Sequence, residues 1–289
     1  MDASMRIEST LRAAVDQASA ADGPPRLAEA LDYAVFPGGA RVRPRLTLAV
    51  AAACGADASP LVDAAAAAIE LLHCASLVHD DLPCFDDATM RRGKPALHAA
   101  YGQRLAVLAG DALIVLAFET LGRAGEVDPA SLVPVLMTVA GGVGAPHGIV
   151  AGQAWECEPS VVLSQYQQAK TGALFAAATM AGAAAAGVAP RAWGALGERL
   201  GEAYQVADDL RDVVANAEEL GKPVGQDIAL DRPSAARELG VEGAVARLRT
   251  LVDGALEAIP PCPGRDDLAT LLRTQAASFL PKELAQQAA

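Results

Sequence analysis

Two clusters of aspartate, far apart in the chain, constrain its fold more than any other feature. The first cluster is His79-Asp80-Asp81-Leu82-Pro83-Cys84-Phe85-Asp86-Asp87, and the second is Ala207-Asp208-Asp209-Leu210-Arg211-Asp212. Each is bracketed by apolar, helix-like sequence, where carboxylates are unfavourable unless a counter-charge neutralises them. For an all-oxygen site the usual counter-charge is a hard divalent cation, and Mg²⁺ with a phosphate-bearing substrate fits best. The sequence therefore predicts a metal site with two walls that meet across the fold.

The spacing within each cluster supports this interpretation. Asp208 and Asp212 are four residues apart, so they lie on one face of a helix. In the first cluster, Pro83 has no N–H group to donate, which disturbs the turn after Asp80 and allows Asp86 to fold back. The alternative is that each cluster is only a solvated helix end. That alternative is disfavoured because there are two clusters and basic residues follow both.

Four short basic runs accompany the clusters in a chain that is acidic overall. They are Gly38-Gly39-Ala40-Arg41-Val42-Arg43-Pro44-Arg45, Arg91-Arg92-Gly93-Lys94, Lys170-Thr171-Gly172 and Gly221-Lys222-Pro223-Val224-Gly225. The net charge of −12 and the pI of about 4.8 argue against a nucleic-acid-binding surface. Concentrated arginine and lysine fit local diphosphate pockets, where arginine binds bidentately and lysine as a point charge. Taken singly, each run is also consistent with a solvated turn.

Composition and chain breakers predict an all-α protein. Hydrophobic residues make up 52% of the chain and aromatic residues only 4%, and alanine dominates, which favours closely packed helices. Apolar periodic segments recur along the chain between glycine and proline breakers, and no stretch alternates like a strand. Because the two clusters must meet although they are about 130 residues apart, we predict a single domain over 1–289.

Two uncharged runs, Thr171 to Pro190 and Leu132 to Val150, reach the length of a membrane span. They are rich in alanine and glycine and are interrupted by proline or histidine, so we interpret them as fully buried core helices. The N-terminus has no apolar signal-peptide core, and the five cysteines lack metal-ligand spacing. We therefore expect reduced thiols and a cytoplasmic protein without a membrane span.

The residues around both clusters resemble a known family, the trans-isoprenyl diphosphate synthases. Leu71-Leu72-His73-Cys74-Ala75-Ser76-Leu77-Val78-His79-Asp80-Asp81, followed by Asp86 and Arg91-Arg92-Gly93-Lys94-Pro95, resembles the family's first aspartate-rich motif in its longer bacterial form. Tyr204-Gln205-Val206-Ala207-Asp208-Asp209-Leu210-Arg211-Asp212, with Gly221-Lys222-Pro223 beyond it, resembles the second. The resemblance covers essentially the whole chain and is greatest to geranylgeranyl diphosphate synthases of bacterial carotenoid pathways. It implies an all-α, single-domain bundle of roughly a dozen helices around a central apolar cavity.

The resemblance also implies an activity, a Mg²⁺-dependent head-to-tail condensation of isopentenyl diphosphate with dimethylallyl, geranyl or farnesyl diphosphate in a homodimer. Several Mg²⁺ ions would be held by Asp80, Asp81, Asp86, Asp208, Asp209 and Asp212. The allylic diphosphate would be clamped by Arg91, Lys170 and Lys222, and isopentenyl diphosphate by Arg43, His73 and Arg92. Thr171 and Gln205 would stabilise the carbocation. The small residues Ala75 and Ser76 would let the product grow to geranylgeranyl diphosphate, with the next floor expected among Leu113, Leu116 and Phe118.

Three positions depart from the family pattern. Ala40 stands where a lysine is usual, with Arg41 or Arg45 as possible substitutes; Glu156 replaces an aspartate, and Arg232 replaces a lysine. Other functions stay open: a farnesyl diphosphate synthase, a class I terpene cyclase or a non-catalytic subunit of a heteromeric synthase. Cyclases normally carry a different second motif, and non-catalytic subunits tend to lose aspartates or arginines that are present here.

Overall fold

The computed structural model describes residues 2–19, 22–36, 38–56, 58–160, 162–214 and 235–277, without the side chains at 163, 164, 212, 214 and 277. Lys222 and Arg232 therefore lie outside the described residues, as does the side chain of Asp212. The prediction of one domain over 1–289 stays a prediction, because residues 278–289 also lie outside this range.

Helices make up nearly all of the regular structure that the described residues form. The α-helices are α1 (Ala3–Ala18), α2 (Pro25–Val35), α3 (Val42–Ala53), α4 (Pro60–Asp80), α5 (Leu97–Tyr101), α6 (Gln103–Gly125), α7 (Pro129–Val143), α8 (Ile149–Ala154), α9 (Leu163–Gln167), α10 (Ala173–Ala185), α11 (Gly194–Val214), α12 (Ala235–Glu257) and α13 (Arg265–Ala277). Two 3-10 turns (Trp155–Cys157 and Pro190–Trp193) and one π-helical turn (Gln168–Gly172) connect them. The prediction of an all-α fold is confirmed.

Helix α4 lies at the centre of the fold. All of its residues from Ala64 to Leu72 are buried, so this stretch has no solvent face. Helices α3, α6 and α10 pack around it. Small residues let the surrounding helices approach closely: a Cβ on Gly142 of α7 would lie 2.3 Å from that of Ala177 of α10. Because α4 is held on all sides, its C-terminal end fixes the position of Asp80.

A second, smaller core joins α11 to α12. Ala203, Ala207 and Leu210 of α11 pack with Ala244 and Leu248 of α12, and all five are buried. Their spacing of three and four residues places them on one face of α11. The motif aspartates therefore lie on a helix that is anchored along its length.

The two uncharged runs differ in burial. Thr171 to Pro190 contains α10, which is buried almost throughout from Leu174 to Ala185, as the sequence predicts. Leu132 to Val150 is not fully buried, contrary to the prediction: Val133 and Met137 of α7 are 62% and 68% exposed, because α7 buries one stripe only. By length and composition, α4 and α6 could each cross a membrane, with 78% and 44% of their apolar windows buried inside the protein.

Two short strands, β1 (Met90–Arg91) and β2 (Lys94–Pro95), form a hairpin that was not predicted from the sequence. They pair antiparallel with Arg91 opposite Lys94. Arg92 and Gly93 between them both have positive φ, 53° and 74°, which is the backbone that a two-residue hairpin turn requires. Strands of two residues are too short for an alternating pattern to appear. The hairpin matters because it carries three of the basic residues near the first cluster.

Candidate active site

A cavity of about 580 Å³ opens among α4, α8, α10 and α11. Its lining includes nine of the residues predicted to act: Arg43, His73, Ala75, Ser76, Asp80, Lys170, Thr171, Gln205 and Asp208. Apolar side chains such as Leu72, Ile114, Val143 and Ile149 line the rest. The cavity therefore combines charged groups from both aspartate clusters with an apolar compartment.

The first wall is the end of α4 and the loop that follows it. The backbone N–H of Asp86 donates to the carbonyl oxygen of Asp80 at 3.0 Å, so the chain folds back as Pro83 predicts. One carboxylate oxygen from each of Asp80, Asp86 and Glu156 lies within 4.8 Å of the others. Three hard oxygen donors this close fit a divalent cation such as Mg²⁺. Burial raises the pKa of Asp80, and the ammonium group of Lys170 opposes this.

Asp81 has different surroundings from its neighbour Asp80. It is 2% exposed, and Arg91 Nε donates to both of its carboxylate oxygens at 3.0 and 3.1 Å. Arg91 Nη2 donates to the same carboxylate. Asp81 does not line the main cavity; with Arg91 and Arg92 it borders a smaller pocket beside the hairpin. Asp81 thus holds the guanidinium of Arg91 next to the first wall.

The second wall is the C-terminal part of α11. Asp208 lines the cavity, and Arg211 Nη1 donates to it at 3.4 Å. Asp209 is 2% exposed and accepts hydrogen bonds from Gln205 Nε2 at 3.0 Å and from the backbone N–H of Ala235 at 2.8 Å. As in the first cluster, the first aspartate of the pair faces the cavity and the second is buried against protein donors.

Lys170 connects the first wall to the π-helical turn. Its ammonium group donates to Asp80 at 3.3 Å and also to Glu156. Glu156 accepts two further hydrogen bonds, from Tyr166 Oη at 2.6 Å and Gln153 Nε2 at 3.1 Å. In the sequence, Glu156 stands out only as a departure from the family pattern, and no role is predicted for it. Its place beside Asp80 and Asp86 makes it a third acidic group of the site.

Arg43 and His73 come together at the side of the cavity next to α3. Arg43 is over the Phe175 ring at 4.5 Å and the Tyr204 ring at 5.9 Å, and its buried Nε has no hydrogen-bond partner among the described residues. Burial and the nearby Arg43 and Arg92 guanidinium groups hold the pKa of His73 well below its usual range, so the imidazole is neutral. A buried cation with an unused N–H group is suited to an anionic ligand.

A family model for polyprenyl synthetase matches residues 24–256. Two curated geranylgeranyl diphosphate synthases are similar over nearly the whole length: that of Cereibacter sphaeroides is 55% identical over 97% of both chains, and that of Rhodobacter capsulatus is 52% identical over 96% of both. The chain belongs to the polyprenyl synthetase family. The resemblance stated from the sequence is therefore confirmed.

Solved structures agree with this family and fold. A geranyltransferase from Helicobacter pylori, complexed with magnesium and isoprenyl diphosphate, superposes with a TM-score of 0.76 at 32% identity over 89% of both chains. A geranylgeranyl pyrophosphate synthetase from Pyrococcus horikoshii superposes with a TM-score of 0.77 at 28% identity, over 95% of this chain and 97% of the other. The isoprenoid synthase fold that the sequence predicts is confirmed.

Ala40 stands where a lysine is usual in the family, and Arg41 does not take the place of that lysine. The Arg41 guanidinium is buried and donates to Glu8 and Glu70 at 2.8 Å and to the carbonyl oxygen of Val35 at 2.7 Å. The hypothesis that Arg41 replaces the missing cation is therefore wrong, because its N–H groups are used to hold α1, α2 and α4 together. Arg45, the other possible substitute, donates to Ser4.

Arg92 takes a different position from the other residues predicted to bind isopentenyl diphosphate. Its Nη1 donates to the carbonyl oxygen of Gly38, and its guanidinium lies against Gly39, where a Cβ would be 3.0 Å away. Gly39 also has φ 146°, a backbone conformation that favours glycine there. Arg92 thus lies against the basic N-terminal run, at Gly38 and Gly39.

Ala75 and Ser76 line the cavity as predicted, and Ser76 donates its hydroxyl to the carbonyl oxygen of His73 at 2.8 Å. The expected floor is different. From α6, Ile114 lines the cavity, and Leu113, Leu116 and Phe118 do not. Leu113 and Leu116 are instead buried in the helical core, because their side of α6 packs on α4. The sequence could not show that Ile114 faces the cavity, because this depends on how α6 is rotated about its own axis.

Proposed function

We propose that this polyprenyl synthetase is a geranylgeranyl diphosphate synthase that condenses isopentenyl diphosphate with allylic diphosphates, including dimethylallyl, geranyl and farnesyl diphosphate. The observation that carries the proposal is the cavity: Asp80 and Asp208, one from each wall, both line it, and the small Ala75 and Ser76 line it about one turn of α4 below Asp80. The identity to two geranylgeranyl diphosphate synthases over nearly the full chain supports the product length.

Mg²⁺ is the metal that the proposal requires; the carboxylates of Asp80 and Asp86 would hold it, with Glu156 beside them and Asp208 facing it across the cavity. When bound, it supplies positive charge that stabilises a departing diphosphate. The predictions that Asp81, Asp209 and Asp212 are also ligands remain predictions, as does the number of ions. The magnesium and isoprenyl diphosphate in the related Helicobacter pylori structure support the same chemistry.

The chain's own residues bind and orient the two substrates. Lys170 and Arg91 provide the cations for the allylic diphosphate, and Arg43, with its unused buried N–H group, provides one for isopentenyl diphosphate. Neutral His73 can donate a hydrogen bond to the same anion. The apolar lining excludes water from an allylic cation. A dedicated protein base is not required, because the released diphosphate can accept the proton.

Product analysis tests the proposal. The pure protein is incubated with Mg²⁺, isopentenyl diphosphate and each allylic primer in turn, and products are separated by chromatography. Geranylgeranyl diphosphate is the expected main product. Farnesyl diphosphate would indicate the shorter-chain synthase, a cyclic hydrocarbon would indicate a terpene cyclase, and turnover only with a second subunit would indicate a non-catalytic partner.

We further propose that the protein is a cytoplasmic homodimer whose product supplies carotenoid biosynthesis. Apolar side chains on the neighbouring helices α6 and α7 support self-association: Leu108 and Val115 are 55% and 58% exposed, and Val133 and Met137 more so. Light scattering after size exclusion would measure a dimer for the parent and a monomer for Leu108→Glu. Cell fractionation tests the location, and pigment formation in a host that lacks only this activity tests the pathway.

A further inference from the structure

Asp209 accepts hydrogen bonds that determine the orientation of another predicted catalytic residue. Gln205 lies one turn before it on α11, and Gln205 Nε2 donates to Asp209 Oδ1 at 3.0 Å. A carboxylate can only accept hydrogen bonds, so it requires the N–H side of the amide to face it. The carbonyl side of the Gln205 amide must then point the other way.

That other side faces Thr171. The Thr171 hydroxyl donates to Gln205 Oε1 at 3.2 Å, and both residues line the cavity. Without Asp209, the amide could rotate by half a turn and present N–H groups in place of its oxygen, because both ends of an amide can find partners. A carbonyl oxygen stabilises a developing carbocation, whereas an N–H group directed at it would be unfavourable.

Asp209 is also tied to a second helix. Its other carboxylate oxygen, Oδ2, accepts from the backbone N–H of Ala235, the first residue of α12, at 2.8 Å. Asp209 is buried, whereas Asp208 is only half-buried and borders the cavity. Adjacent aspartates of one motif therefore face different surroundings.

We propose that Asp209 is a positioning residue, which holds the Gln205 carbonyl oxygen toward Thr171 and the cavity, and is not a metal ligand. This inference rests on the proposed function for its catalytic consequence, since the oxygen matters only if a carbocation forms beside it. The hydrogen-bond relay runs from Thr171 through Gln205 to Asp209 in one direction only. The substitution Asp209→Asn breaks that direction while it conserves size.

Metal binding separates the two roles of the motif. Mn²⁺ is titrated against the full-length protein in the presence of inorganic pyrophosphate and followed by electron paramagnetic resonance. Asp209→Asn should keep the Mn²⁺ affinity within about twofold of the parent, whereas the matched variant Asp208→Asn should lose more than about tenfold. A tenfold loss in Asp209→Asn would overturn the proposal. This measurement does not depend on the product, so it is informative even if the proposed function is wrong.

Kinetic coupling tests the relay itself. Asp209→Asn should lower kcat by about 10- to 100-fold with little change in the KM for the allylic diphosphate, because a preorganised dipole is lost. In a Gln205→Ala background the same substitution should lower kcat no further, since its effect passes through the amide. If the losses of kcat from the two substitutions multiplied in the double variant, the proposal would be overturned.

A second variant covers the case in which Asp209→Asn fails to fold. Gln205→Glu leaves Asp209 intact but removes the N–H donor and sets two carboxylates against each other. We expect kcat to fall about tenfold or more with Mn²⁺ affinity retained. An unchanged kcat would show that the orientation of this side chain does not matter.

Discussion

On the first wall, at the end of α4, the second aspartate of the pair is held by a guanidinium; on the second wall, in α11, it is held by a neutral amide and a backbone N–H. Asp81 and Asp209 are equally buried, at 2% exposure each. Their partners, Arg91 on one side and Gln205 on the other, are predicted to meet different parts of the substrate. Asp81 and Asp209 thus hold the same place in their motifs, and each binds a partner that suits the part of the substrate it is predicted to meet.

The difference has a physical basis. A departing diphosphate is an anion. By accepting from Arg91, the carboxylate of Asp81 points the rest of the positively charged guanidinium in a defined direction. A carbocation is repelled by such a charge but is stabilised by an oriented oxygen dipole, which a carboxylate fixes by accepting from the far side of an amide. We infer that the first wall organises charge and the second wall organises a dipole.

The largest expected effect concerns the two aspartates that face the cavity. Asp80→Asn and Asp208→Asn should each lower kcat by about 10³-fold or more, because each removes a charge from the predicted metal site. Asp87→Asn, in the exposed part of the first cluster, is the control and should stay near the parent. EDTA should abolish turnover and Mg²⁺ restore it. Activity within tenfold of the parent in either cavity variant would contradict the two-walled site.

A smaller effect is expected for the buried aspartate of the first wall. Asp81→Asn weakens the contact with Arg91 and should raise the KM for the allylic diphosphate by about 10-fold, consistent with the loss of about 1.5 kcal/mol from a charged hydrogen bond. Arg91→Lys, which loses the bidentate geometry, should act in the same direction. Steady-state kinetics with the allylic substrate varied measures both. If Asp81→Asn changed only kcat, as expected for Asp209→Asn, the contrast between the walls would fail.

The third prediction asks whether α4 alone limits the length of the product. Ala75→Tyr places a ring in the cavity below Asp80, so the main product should shorten from geranylgeranyl to farnesyl diphosphate while turnover is retained. Ala154→Tyr, at an exposed position that lines the same cavity from α8, is the matched control and should leave the product unchanged. Chromatography of dephosphorylated products distinguishes the outcomes. An active Ala75→Tyr enzyme that still made the longer product would place the floor elsewhere, with Ile114 the next position to test.

The sequence could predict what local chemistry determines and not what packing determines. The return of Asp86 toward Asp80 followed from Pro83, and the helix-face relation of Gln205 and Asp209 follows from their spacing. The burial of Asp81 and Asp209 could not be predicted, because adjacent aspartates look alike until a helix is placed against its neighbours. The choice of Ile114 over Leu113 depends on the rotation of α6.

Arg41 illustrates the same limit for charge. Because it is one of three arginines in a short basic run, its place in the sequence suggested that it binds substrate. Its backbone is left-handed, with φ 48°, which turns the side chain into the core toward Glu70. Burial alone lowers the pKa of Arg41, but the hydrogen bonds and charges of Glu8 and Glu70 outweigh this and raise it. The guanidinium is thus a structural cation that joins three helices.

The smallest predicted effect is at Ala40, and it tests whether the isopentenyl diphosphate pocket is independent of the two walls. Arg43 of this pocket is over Tyr204 of the second wall, and Arg92 comes from the hairpin beside the first, so a cation added at residue 40 would join groups from both. Since Ala40 is exposed, screening limits its contribution to about 1 kcal/mol, and Ala40→Lys should lower the KM for isopentenyl diphosphate about fivefold. The KM for the allylic diphosphate should not change.

The matched control is Ala52→Lys, at an exposed position farther along α3, which measures any general electrostatic effect on the KM for isopentenyl diphosphate. An equal change of this KM in the control, or an altered allylic KM in Ala40→Lys, would mean that the pocket and the walls bind as one unit.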